Sequence, residues 1–427
     1  MKFWDSKLRL APHRATTAHV ASLYPWAGAQ MLGNRGPYLG TDALSGRSAF
    51  HFDIFEAYAA GRITNTNMMI LGQPGMGKSA LMKTWLRRTK AVYGSDRVVA
   101  IVDVKGEYTD LAEHLGLRHV RLTPGGTTRI NPLDVHESVE PDDRRRRRST
   151  MIQALLGTVL KRSLTTSEEV GIWAAVTAIE QITEPTLADI GYLFAQPTSE
   201  MAELARRSTD ELTTGLYELS MATDRILHQS FRGMFDGRST VNLAASTNGV
   251  VIDLSATHHD REALPLVMVA ASAHLQDILT STMAAKKIQV LDESWRMVEF
   301  EATARYLQAA WKLGRTYGVG NVAVLHKPDD LASQSNEGSA ASKIAHGLVA
   351  DTAVRIMFAQ TQRDLNRHGS LLGITEHEKD AISGLTRGQS LWKVGTHTAV
   401  LNHYLDLNSI EGALCNTDQA VTTTAVP

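Results

Sequence analysis

The segment Gly72-Gln73-Pro74-Gly75-Met76-Gly77-Lys78-Ser79 constrains this chain more than any other. It fits G-x-x-x-x-G-K-[ST] without deviation. Glycines let a backbone wrap closely round phosphate groups with its N–H groups turned inward. A helix starting at the last residues adds partial positive charge at the same place. In such a loop Lys78 reaches the β- and γ-phosphates and the Ser79 hydroxyl ligates Mg²⁺, with Ala80 counted in the same cradle. The context is the required one. Asn67–Leu71 is an apolar run that predicts a buried strand, and Leu81, Met82, Trp85 and Leu86 recur at helical spacing over about 78–91. Val98–Val104 predicts a second strand, which makes a parallel βαβ unit.

A second motif completes the first. Ile288-Gln289-Val290-Leu291-Asp292-Glu293 reads as an apolar strand that delivers two adjacent carboxylates at its C-terminal end, where open α/β sheets place ligands. Asp292 is expected to hold Mg²⁺, and Glu293 to orient and polarise a water as general base. Both motifs together predict bound ATP and Mg²⁺.

Other candidates surround this pair. Asp103-Val104-Lys105-Gly106-Glu107-Tyr108 ends the Val98–Val104 strand, and Glu107 reads either as an acid assisting water or sensing nucleotide, or as part of a local ion pair or helix cap. His326 ends the Val322–Leu325 strand, as a γ-phosphate sensor or a structural histidine. Arg315 and Arg355 are candidate arginine fingers acting on a neighbouring subunit, against the plainer reading of surface cations. Arg144–Arg148 is the strongest charge run. Five consecutive arginines point round every face of a helix and sit beside Asp142 and Asp143, so a solvated helix start is the better reading than a DNA or lipid site. The 16 histidines show no metal-site spacing, and neither G-x-S-x-G nor G-x-G-x-x-G is present.

The net charge of −1 supplies no overall basic field, so nucleic-acid contact would need a local patch. Cys415 is the only cysteine, which rules out an intrachain disulfide and a cysteine zinc cluster and suits a reducing compartment. Residues 1–10 do not form a signal peptide, and runs such as Leu264–Ala273 are too short to span a bilayer. The expected location is the cytoplasm, with docking at the inner face of the membrane left open.

Along the chain, residues 1–60 read as an irregular N-terminal arm with a short strand near Ser48–Phe52. Residues 61–137 carry the first part of an α/β core and 138–235 an all-helical insertion. Pro141 suits a first helical turn, and Thr165 with Glu168 and Thr186 with Asp189 fit capping boxes. The core resumes over 236–412 with strands at Val250–Leu254, Ile288–Leu291, Val322–Leu325, Ala353–Phe358 and Ser390–Val394. Val400–Tyr404 is placed near the sheet edge, Asp330–Ser342 in a flexible loop, and 413–427 in a flexible tail.

The pattern as a whole resembles the conjugation and type IV secretion ATPases of the FtsK–HerA superfamily, and among them actinobacterial conjugal-transfer ATP-binding proteins. The resemblance is carried by His13–His19, Thr64–Asn67, the Gly72–Ser79 loop, Lys105-Gly106-Glu107-Tyr108 and Pro124-Gly125-Gly126 with Asn131-Pro132-Leu133. Phe235-Asp236-Gly237, Leu291–Trp295, His326–Leu331 and Gly388–Trp392 continue it in the same order. It implies a RecA-like P-loop NTPase core with a mainly parallel sheet and an all-α insertion, working as a hexameric ring with membrane-embedded secretion or conjugation components. DNA or protein would be the substrate. Relatives often carry Gln at the sensor strand, where this chain has His326. A DNA-translocating ATPase of the FtsK or HerA type and a nucleotide-gated assembly scaffold with little turnover remain the rival readings.

Overall fold

The computed structural model describes residues 16, 32–135, 139–241, 248–260, 263–281, 286–294, 297, 301–325 and 340–415. Among these, eleven strands form one sheet. They are β1 (Tyr38–Asp42), β2 (Ser48–His51), β3 (Asn67–Leu71), β4 (Arg97–Asp103), β5 (Arg118–Arg121), β6 (Gly249–Asp253), β7 (Lys286–Leu291), β8 (Val319–Val324), β9 (Val354–Met357), β10 (Gln389–Val394) and β11 (His397–His403). The order across the sheet is β2-β1-β11-β10-β9-β3-β8-β7-β4-β6-β5. From β9 to β5 every pairing is parallel. From β9 outward through β10, β11, β1 and β2 every pairing is antiparallel.

The parallel part is covered on both faces, and the strand sequences show why. Side chains alternate between faces. Met68 and Ile70 of β3 and Val99 and Ile101 of β4 join Leu81, Met82 and Trp85 of the helix Lys78–Tyr93 in one apolar cluster. Met69, Leu71, Ala100 and Val102 point the other way. They join a larger cluster that includes the helices Ala263–Ser281 and Glu301–Tyr317 and the helices between Pro141 and Arg225. Such near-continuous apolar strands are what a doubly covered sheet requires.

Between Pro141 and Ser230 the described residues contain helices and turns and no strand. The helix Pro141–Leu160 has proline in its first turn. At the next helix the Glu168 N–H donates to Thr165 Oγ1 while Glu168 Oε2 accepts the Thr165 N–H at 2.7 Å, the reciprocal capping box its sequence predicts. Asp189 Oδ2 accepts the Thr186 N–H at 2.7 Å in the same way. The arginine run is absorbed internally. Arg145 pairs with Asp142 and Glu180, Arg146 with Asp143, and Arg148 donates from Nε to the Leu133 carbonyl at 2.9 Å.

The chain leaves the sheet before this region and returns after it through a clasp. Arg129 Nε donates to Asp236 Oδ1 at 2.7 Å, and the Ile130 N–H to the Met234 carbonyl at 2.8 Å. Asn131 Nδ2 donates to Asp134 Oδ1 and the Pro185 carbonyl. Gly233, at φ +80°, runs so close that a Cβ there would lie 2.6 Å from the Gly126 carbonyl oxygen. This gives the Pro-Gly-Gly, Asn-Pro-Leu and Phe-Asp-Gly segments a shared structural job.

Several expectations change. Residues 38–59 are ordered structure rather than an irregular arm: the strand expected near Ser48–Phe52 is β2, the unforeseen β1 pairs it to the sheet, and Asp53 Oδ1 caps the helix Ile54–Ala59 by accepting the Phe55 and Glu56 N–H groups. Strand β11 is interior, because β1 pairs along its outer side. Strand β5 was not foreseen, since only Val120 of its four residues is buried. Residues 340–342 open the helix Ala340–Ala350, while 330–339 and 416–427 lie outside the described residues.

Candidate nucleotide site

The Gly72–Ser79 loop leaves the C-terminal end of β3 and enters the helix Lys78–Tyr93 through Gly77, whose φ of +104° is left-handed. Gly72 admits no side chain: a Cβ there would lie 2.4 Å from Phe358 Cβ. The backbone is thereby pressed against β9, where the Gln73 N–H donates to the Ala359 carbonyl at 3.3 Å. Lys78 is 6% exposed, and its ammonium donates to the Gly72 and Gln73 carbonyls at 2.5 and 2.9 Å. The Met76 carbonyl accepts from the Gly388 N–H at 3.1 Å, which ties the loop to the approach to β10.

Asp292 and Glu293 follow the end of β7. One strand, β8, separates β7 from β3. Hydrogen bonding continues past the strand ends, from the Leu325 N–H to the Ile70 carbonyl at 2.8 Å and from the Ser294 N–H to the Val324 carbonyl at 3.2 Å. The three strands therefore finish level. At about 4.8 Å per strand the two motifs leave the sheet about 10 Å apart, on one edge.

This edge is crowded with acids. Asp292 is 4% exposed, and burial, then the Glu293 carboxylate beside it, pushes its carboxyl up to about 7. Asp103 ends β4 fully buried. Its Oδ1 accepts the N–H groups of Lys105, Gly106 and Glu107, and its Oδ2 that of Tyr108. Burial raises its carboxyl, and the four N–H groups act against that rise. Asp253 sits opposite Asp103 at the end of β6. Glu107 Oε2 is buried with no hydrogen-bond partner among the described residues.

Sequence reasoning missed Lys105. Its ammonium lies 2.5 Å from Glu293 Oε1. Burial alone would lower this lysine, but the hydrogen bond to Glu293 and the charges of Glu293, Asp292 and Glu107 outweigh it and raise it. The available signal was a lysine just past an apolar strand; that its strand neighbours β7 was not readable.

The remaining candidates separate. Arg355 does not join the site. It lies toward the start of β9, away from the phosphate end, and donates to the Leu372 and Val349 carbonyls at 3.3 and 3.0 Å. It is a structural cation closing two helix C-termini, because carbonyls without helical partners need donors. Arg315 lies in the last turn of Glu301–Tyr317, just before β8 begins. Its backbone is therefore at the end of the sheet opposite the Gly72–Ser79 loop. His326 lies outside the described residues.

The sequence matches the TraG P-loop domain family over residues 40–400. The chain belongs to that family. It is a P-loop NTPase, and its fold is a RecA-like core. In fold this TraG P-loop chain is similar to VirB4 of Thermoanaerobacter pseudethanolicus, with a TM-score of 0.69 and 20% identity over 89% of this chain and 99% of that one. It is also similar to the plasmid coupling protein TrwB in complex with ADP and Mg²⁺, with a TM-score of 0.57 and 13% identity over 92% of each chain. A TrwB structure with a non-hydrolysable ATP analogue gives 0.55 and 13% over 93% of this chain and 96% of that one. No curated protein sequence matches the chain. Among the described residues no helix is long and apolar enough to cross a membrane.

Proposed function

We propose that this TraG P-loop chain is a Mg²⁺-dependent ATPase whose turnover energises a conjugation or type IV secretion apparatus. One observation carries the reading: the Gly72–Ser79 loop and the Asp292–Glu293 pair leave the same sheet edge with a single strand between them.

The residues suit the groups they would hold. Left-handed glycines at 75 and 77 turn the loop tightly, and the helix Lys78–Tyr93 starts at its end, as a phosphate cradle needs. The Ser79 hydroxyl and the Asp292 carboxylate are hard oxygen donors, and Mg²⁺ is usually held by one or two carboxylates plus phosphate oxygens. When bound, Mg²⁺ neutralises charge on the phosphates and favours the ionised form of Asp292. Lys78 exchanges the Gly72 and Gln73 carbonyls for phosphate oxygens. Glu293 orients the attacking water and accepts its proton. Glu107 is a second acid at the same edge. His326 keeps the sensor role assigned from its sequence position.

By family resemblance the working form is a homo-hexameric ring, peripheral at the inner face of the membrane and docked on membrane-embedded components, with DNA or protein as substrate. Arg315, remote from its own phosphate loop, can act on nucleotide only in a neighbour.

Phosphate release by purified protein tests this reading. Wild type hydrolyses ATP with Mg²⁺; Lys78→Ala loses binding; Glu293→Gln binds ATP but turns over about 10²–10⁴-fold more slowly. ATP binding without turnover in wild type would overturn the motor in favour of a scaffold. Turnover stimulated by duplex DNA and falling steeply with salt would favour a DNA-pumping motor.

A further inference from the structure

We propose that Lys105 is a positioning residue for Glu293, fixing the orientation of that carboxylate for the hydrolytic step; this rests on the ATPase reading above. Lys105 Nζ lies 2.5 Å from Glu293 Oε1, with 35% of the lysine and 7% of the glutamate side chain exposed. The pair joins two strands that run side by side, with Val102 of β4 opposite Leu291 of β7. The ammonium therefore reaches Glu293 laterally, from a segment nearly 190 residues earlier in the chain.

Both ends of the ion pair hang from backbones with little freedom. The turn that carries Lys105 is held by the buried Asp103 carboxylate, which accepts four successive N–H groups at 2.8 to 3.2 Å. Gly106 closes that turn at φ +75°, and a Cβ there would lie 3.3 Å from Ser255 Cβ and Oγ on the loop after β6. At the other end Glu293 itself has φ +53°, a conformation that residues with side chains seldom adopt. Exposed ion pairs on flexible stems orient little. Here one partner is nearly buried and the other is mounted on a fixed turn.

The surroundings give the lysine its purpose. Asp103, Glu107, Asp253 and Asp292 stand at the same edge, and like charges drive a lone carboxylate away from the others. A cation from the turn after β4 holds Glu293 against that repulsion. The carboxylate then meets the attacking water from one direction.

Lys105→Met removes the charge and keeps the length. The expected result is a fall in kcat of about 10- to 100-fold, the scale of a catalytic group displaced by about 1 Å. KM for ATP and the affinity for ADP with Mg²⁺, measured by fluorescence titration, stay within about 2-fold of wild type, since the phosphate loop is not touched. Lys105→Arg restores part of the rate. A readout independent of turnover is the melting temperature of nucleotide-free wild type, Lys105→Met, Glu293→Gln and the double variant, whose shifts are expected to be non-additive. Additive shifts, a rise in kcat, or a parallel loss of kcat and affinity would each overturn the proposal. Wild type without turnover would overturn the ATPase reading and this proposal with it. Normal turnover that ignores Lys105→Met would overturn this proposal alone.

Discussion

Replacing Gly72 with alanine tests whether the phosphate loop is shaped by its contact with β9. The added Cβ would meet Phe358 Cβ at 2.4 Å and Phe358 Cα at 3.2 Å, on a backbone at φ +156°. Carbon atoms settle at about 3.5–4.0 Å, so one side must move by about 1 Å. Phe358 cannot yield cheaply: it is fully buried, and its N–H donates to the Leu71 carbonyl at 2.8 Å. Overpacking of about 1–3 kcal/mol and backbone strain of similar size together cost about 2–6 kcal/mol. That is a large part of a domain's stability of about 5–15 kcal/mol. Gly75 is the control. It has φ +77° but nothing within 4 Å of a Cβ, so alanine there costs only the left-handed strain of about 1–2 kcal/mol. Chemical denaturation of the nucleotide-free protein should rank Gly72→Ala clearly below Gly75→Ala, with nucleotide binding also weakened in Gly72→Ala. Equal stabilities, or a more stable Gly72→Ala, would refute the argument.

Other expectations follow from particular contacts. Arg162 beside Glu168 holds that carboxyl down to about 2, below its unfolded value of about 4.3, so the folded state binds fewer protons between those values. The stability it gives is present above about pH 4.3 and is lost as pH falls toward 2; Glu168→Gln should flatten that part of a melting-temperature profile, and an unchanged profile would count against the pair. Glu411 accepts from Arg87 and Arg88 and pins the helix Ile410–Cys415 to the phosphate-loop helix, so Glu411→Ala should speed proteolysis beyond residue 403. Asp236→Ala leaves Arg129 and the Gly233 N–H without their acceptor and should cost about 1–3 kcal/mol in denaturant unfolding, while phosphate binding persists.

Much of the architecture was legible because the buried strands advertise themselves. Asn67–Leu71 and the apolar runs of β4, β6, β7 and β8 are buried on both faces, so their sequences are largely apolar, with a few buried polar residues such as Asn67, Gln289 and Asn321. Strands with one wet side were harder. In β5, Arg118, His119 and Arg121 are exposed, and in β1 the glycine at position 40 breaks the pattern. That glycine is required because a Cβ would lie 2.0 Å from the Asn402 carbonyl oxygen, a closeness only the folded sheet reveals. The phosphate loop and the Asp292–Glu293 pair were legible because each motif lies within one short stretch of chain. The Lys105–Glu293 contact was not, since it depends on β4 and β7 lying side by side. Arg355 misled for the opposite reason: an arginine in a strand carries no mark of whether it caps helix ends within its own chain or reaches outward.

A crystal structure of the chain with Mg²⁺ and a non-hydrolysable ATP analogue tests the shared site most directly. The account predicts phosphates on the backbone amides of residues 72–79 and a metal ion bridging Ser79 Oγ toward the Asp292 carboxylate, with Glu293 on the γ-phosphate side. Phosphates bound elsewhere, or a metal ion remote from Asp292, would contradict it.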